Sequence, residues 1–101
     1  MTKRELIIKA IEEKKQVVGI YDGQWREFCP HKFGTTSGEG RLLVFQFNGL
    51  SNTQPGLVHG QWRCLRLDKL VHIKIRVGEW HTAPTLGKKQ TCIKEIIKEV
   101  K

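Results

Sequence analysis

The stretch VVGIYDGQWREFC, residues 17–29, decides the fold. Two runs rich in β-branched and aromatic residues flank the dipeptide Asp22-Gly23. A two-residue connection between antiparallel strands favours a type I′ turn, which needs positive φ at both central positions. Aspartate tolerates that conformation and glycine adopts it freely, so residues 17–21 and 24–29 read as a β-hairpin. Pro30 has no amide to give to a ladder and is predicted to end the second strand.

Upstream, Thr2 followed by Glu5 has the capping-box spacing, and Leu6, Ile7, Ala10 and Ile11 make an apolar stripe at helical spacing. Residues 3–14 are therefore expected to form a short amphipathic helix. Downstream, GTTSGEG (34–40) reads as a loop and RLLVFQF (41–47) as an apolar strand, with Leu43, Phe45 and Phe47 on one face. Residues 48–60 read as a long loop. QWRCLRL (61–67) and VHIKIRV (71–77) read as strands; in the latter Val71, Ile73, Ile75 and Val77 should point inward. Residues 78–90 read as irregular. In TCIKEIIKEVK (91–101), Ile93, Ile96, Ile97 and Val100 recur at helical spacing and predict a C-terminal helix.

The order helix, five short strands, helix predicts an α+β domain. Five short strands are too few for two full sheets, and a small partly closed antiparallel β-barrel capped by the N-terminal helix buries the apolar faces and limits open edges. The chain of 101 residues is read as one domain: helix 1–16, barrel 17–77, loop and second helix 78–101. The tetrapeptide GQWR occurs at residues 23–26 and again at 60–63, but the continuations EFCPHKF and CLRLDKL share no pattern. A structural repeat echoes over tens of residues, so this is not one.

The formal net charge is +8, spread as +2, +3 and +3 over residues 1–16, 17–83 and 84–101. The pI is near 9.7. Such an excess points to a polyanionic partner, nucleic acid first, with solubility as the plainer explanation. No signal peptide or membrane-spanning stretch is read, and three cysteines without C-x-x-C spacing point to reduced thiols and a cytoplasmic location.

Several segments, taken together, resemble the WYL domain family. LIIKAIEEKKQVVGIY is similar to the family's helix–strand entry, and REFCPHKF to its arginine-then-proline segment. RCLRLDKL resembles the family's Arg-x-Phe-Arg-Leu-Asp-Arg-Ile closely, with Leu65, Lys69 and Leu70 as the substitutions. At the motif that names the family the chain has Arg41-Leu42-Leu43, so the tryptophan and tyrosine are replaced. The resemblance covers about Leu6 to Val77. It implies an Sm-like, SH3-type barrel with a basic face for nucleotides, oligonucleotides or single-stranded nucleic acid, used in transcriptional regulation.

Arginine presents a planar five-donor fork suited to phosphate. Arg26, Arg63 and Lys69 are the expected ligand patch, with Tyr21 as a base-stacking residue and His31 as a further contact. Arg66 is a further candidate for the ligand site, but it lies three residues from Arg63 and should face the other way in a regular strand, where Asp68 or Glu27 would pair with it instead. Salt bridges at strand ends are the alternative role for all three arginines. Cys29 and His31, with Cys64, His59, His72 or His81, lack paired zinc-ligand spacing, so no metal or cofactor is expected. No nucleophile with an orienting base is evident, and the chain reads as a non-enzymatic binding module. The competing reading is a protein-interaction module, or a homodimer, that docks through the C-terminal helix. A regulatory protein partner fits either reading; a membrane does not.

Overall fold

The computed structural model describes residues 1–49, 60–83 and 92–101. From residue 50 to 59, the loop expected over 48–60 lies outside the described residues; so do residues 84–90 of the irregular stretch and Thr91 at the start of the expected helix. Helix α1 (Lys3–Glu13) is followed by β1 (Gln16–Tyr21), β2 (Gln24–Thr36), β3 (Glu39–Gly49) and β4 (Gln61–Arg66). A 3-10 turn, Leu67–Lys69, leads into β5 (Leu70–Arg76), and β6 (Glu95–Glu99) comes last. The strands form one antiparallel sheet in the order β4-β3-β2-β1-β5, with β6 added to β2. Among the described residues no pairing joins β4 to β5, so the sheet is an open path and not the partly closed barrel expected.

The local rules read from the sequence act where expected at the N-terminal end. Thr2 Oγ1 accepts from the Glu5 amide at 3.1 Å while Glu5 Oε1 accepts from the Thr2 amide at 3.0 Å. Asp22 and Gly23 have φ of 51° and 74°, and Tyr21 pairs with Gln24, which is the two-residue type I′ hairpin. A second hairpin of the same kind falls where a loop was expected. Ser37 and Gly38 have φ of 52° and 80°, and Thr36 pairs with Glu39. The Ser-Gly dipeptide was its signal.

Pro30 does not end β2. The strand runs through it to Thr36, and the ladder with β3 shifts register between Pro30 and Lys32 to accommodate the missing donor. This length has a consequence for the whole fold. Strand β3 occupies one edge of β2, while β1 covers only its first part, Gln24 to Phe28, on the other. The remaining edge, Lys32 to Thr35, is taken by β6.

The expected C-terminal helix is therefore absent: residues 95–99 are strand β6. Ile93, Ile96, Ile97 and Val100 satisfy helical spacing, but they are β-branched and weak helix formers. The free edge of β2 offers them ladder bonds that an isolated helix of eleven residues could not match. Gly34 makes the approach possible, since a Cβ there would collide with the Glu95 carbonyl oxygen.

The inward face of the sheet carries Val17, Tyr21, Phe28, Phe33, Leu42, Val44, Leu65 and Leu70, closed by Ile7, Ala10 and Ile11 of α1. Leu43 and Phe45, with the partly buried Phe47, lie on the opposite face. In β5 the alternation is broken at His72, whose φ is 53°. The bulge puts Leu70 inward and leaves Val71 exposed, while Ile73 and Ile75 pack against the core. Val77, expected inward, lies past the strand end and is 80% exposed.

Cys64 on β4 and Cys92, just ahead of β6, form a disulfide with Cα atoms 6.5 Å apart, within the usual span. The expectation of three reduced thiols is corrected accordingly: Cys29 alone is free, and it is buried. Spacing in sequence carried no trace of a contact made across 28 positions.

Candidate functional site

One end of the inward face is polar where the rest is apolar. Arg26 on β2 sits opposite Gly19 of β1, and Arg63 on β4 sits opposite Val44 of β3. Both side chains point to the same side of the sheet as Gln46, which is fully buried. Arg26 is only 2% exposed. Its guanidinium lies over the Tyr21 ring, 4.9 Å from the centroid, and Nη1 donates to Gln46 Oε1 at 3.4 Å. Arg26 Nε is buried with no acceptor, and no carboxylate among the described residues pairs with this side chain. Arg63 Nη2 donates to Gln61 Oε1 at 2.9 Å. Burial, and then the neighbouring charge of Arg63, push Arg26 below the ordinary arginine value; burial does the same to Arg63.

Lys69, at the end of the 3-10 turn, approaches Asp22 of the β1–β2 turn at 3.8 Å. Asp22 also acts on Arg26, in the favourable sense. The structure thus gathers Tyr21, Arg26, Arg63 and Lys69 around the open end of the sheet. Tyr21 is not an exposed stacking platform, however. Arg26 covers its ring and its hydroxyl oxygen accepts from the Arg66 amide at 3.1 Å.

Arg66 faces away, as the strand period requires. Its Nη2 meets Asp68 at 2.9 Å and Glu39 at 3.5 Å. Of the two partners open to it, Asp68 is the one taken; Glu27 instead binds Arg76 at 2.5 Å. Arg66 is a surface ion-pair residue, and such exposed, solvent-screened pairs contribute little to stability.

His31 belongs to another place altogether. It is buried on the outward face, with Nδ1 donating to the Cys29 carbonyl at 2.8 Å and Nε2 accepting from Thr82 Oγ1 at 2.9 Å. Trp62 stands edge-on to the ring at 4.7 Å and Trp80 lies tilted beside it at 4.8 Å. Phe47 stacks on His81 at 4.1 Å. Sequence reasoning missed this cluster, because Trp80, His81 and Thr82 come from a segment without periodicity. Its one signal was the adjacent pair Trp80-His81 in GEWHT (78–82).

Burial holds His31 below the usual histidine value, against the raising effect of its Cys29 bond. The unfolded chain therefore binds a proton at this site more readily than the folded one. Stability should fall as pH drops through the unfolded value of about 6.5 and continue to fall down to the lower folded value. Urea midpoints recorded between about pH 7.5 and pH 5 should show this loss, and His31→Gln should flatten it.

Comparison of the chain with protein-family models, with curated protein sequences and with solved structures finds no match. Among the described residues, no helix is long and apolar enough to cross a membrane. The class these features define is a small α+β domain with two arginines turned into one polar end of its sheet.

Proposed function

We propose that the chain is a non-catalytic, WYL-like binding module whose curled sheet takes an anionic ligand, such as a nucleotide or oligonucleotide, at the Arg26 end. Support for a barrel of Sm-like type comes from the leading helix, the β4-β3-β2-β1-β5 order and the 3-10 turn between β4 and β5. The segment RCLRLDKL, which carries the resemblance, spans that turn and both of its flanks.

The observation that carries the reading is Arg26 itself. A guanidinium buried without a carboxylate partner costs several kcal/mol unless something compensates it. Gln46 and the Tyr21 ring compensate it partly. A phosphate oxygen would accept from the unused donors and neutralise the repulsion from Arg63. The occupied Tyr21 ring favours a compact phosphate group over a strand of stacked bases.

The test is titration with nucleoside monophosphates and short single-stranded DNA and RNA oligonucleotides at low and near-physiological salt. Binding should weaken with salt, as phosphate contacts require. Arg26→Met should lose at least tenfold in affinity, while Arg66→Ala keeps it. The same Arg26→Met protein should be more stable when free, by about 1–2 kcal/mol, because an uncompensated buried charge is replaced by an apolar chain of similar length. Absence of salt-sensitive binding, or equal binding by Arg26→Met, would refute the assignment. The rival reading loses its proposed docking helix, since residues 95–99 form an edge strand.

A further inference from the structure

Strand β6 is the last and shortest strand. It is five residues long, pairs among the described residues with Lys32, Phe33, Gly34 and Thr35, and leaves Ile96 and Ile97 exposed. Its additional ties include the Lys94 amide on the Thr35 carbonyl at 3.1 Å, the Val100 amide on the His31 carbonyl at 2.8 Å, the Lys98–Glu12 and Lys32–Glu99 ion pairs at 2.9 and 3.1 Å, and the packing of Val100 against the core. An edge strand of this kind sits at the low end of the stability range within a domain.

What precedes it is a covalent anchor. Cys92 is bonded to Cys64 in β4, three positions before Glu95, and its carbonyl accepts from Thr36 Oγ1. Both bridge cysteines are partly exposed, whereas Cys29 is fully buried. Burial also pushes the Cys29 thiol up to about 11, so at neutral pH it is protonated and a poor competitor in exchange.

We infer that the Cys64–Cys92 bridge is a redox latch that keeps β6 docked on the edge of β2 and, once reduced, lets it open. The reductant is a dithiol. One of its thiolates attacks a bridge sulfur, the S–S bond breaks to a mixed disulfide, and the second thiol resolves it. The protein gains two electrons and two protons as two cysteine thiols, and the reductant leaves as a disulfide.

The expected size of the effect follows from chain length. Without the bridge, the described ties just ahead of β6 are hydrogen bonds to β2 itself, at Cys92 and Lys94, which open together with the strand, and the next described anchor is Thr82 on His31, thirteen positions before Glu95. With it, the anchor is three positions away. Closure probability falls roughly as length to the power of three halves, so reduction should make β6 open about tenfold more often. Opening would uncover the β2 backbone from Lys32 to Thr35, an edge able to accept another strand.

The experiment compares air-oxidised protein with protein held in dithiothreitol. Thiol titration after unfolding should find one free thiol in the first and three in the second. Amide exchange at Lys94 and Val100 should quicken about tenfold on reduction, and in the reduced protein it should remain far faster than exchange in the β1–β2 ladder around Val17 and Phe28, which opens only with the whole domain. Cys92→Ser should behave as reduced protein under both conditions. Three free thiols in the oxidised sample, a bridge that engages Cys29, or unchanged exchange at Lys94 and Val100 would each overturn the inference. Exchange at Lys94 and Val100 that matches the amides around Val17 and Phe28 in the reduced protein would also overturn it, because β6 would then open only together with the whole sheet.

Discussion

Phe28→Ala is expected to lower the unfolding free energy by about 3–5 kcal/mol, a loss close to the whole stability of many domains of this size. Phe28 is fully buried in β2, flanked across the ladder by Val17 on one side and Gln46 on the other. It belongs to the cluster that joins the sheet to Ile7, Ala10 and Ile11 of α1. Truncation removes the transfer free energy of the ring and leaves a cavity that a ladder bonded on both sides cannot close by collapsing. Urea titration followed by tryptophan fluorescence would measure it. Trp25→Ala is the control. That ring is 47% exposed, and its change should stay within about 1 kcal/mol. Equal losses at the two positions would mean that the core is not where the structure puts it.

Removing the bridge by Cys64→Ser is expected to cost about 3.5 kcal/mol of global stability. The figure comes from the 28-residue separation of the two cysteines, whose closed loop restricts the unfolded chain. Because the restriction acts on the unfolded state, refolding should slow or unfolding quicken without loss of the β1–β2 hairpin or of α1. Denaturation of the oxidised wild type, the reduced wild type and the Cys64→Ser variant would measure it. The last two should agree with each other and fall below the first. An unchanged midpoint would mean that the two sulfurs are not joined in solution.

The candidate site was legible in part. Arg26 and Arg63 were marked by residue type and strand position, and the two-residue period put Arg66 on the other face. The period could not say that Arg26 would be buried, nor that its guanidinium would cover the Tyr21 ring. Depth depends on how the strands and α1 pack together, and that packing joins elements far apart in sequence. His31 shows the same limit from the other side. It was expected as a contact to ligand at the surface, yet Trp80 and Thr82 pack against it and help to bury it.

Local chemistry fixed in the sequence determined the parts of this protein whose partners lie within a few residues. The Thr2–Glu5 box starts α1, Asp22-Gly23 closes the first hairpin, and alternation marks the strands that follow. Only the tertiary structure decided the C-terminal segment. Its isoleucines fit a helix by spacing and a strand by shape, and the unpaired edge of β2 from Lys32 to Thr35 settled the matter. Backbone donors and acceptors left open on a sheet edge reward whichever segment can reach them, and reach is a property of the folded chain.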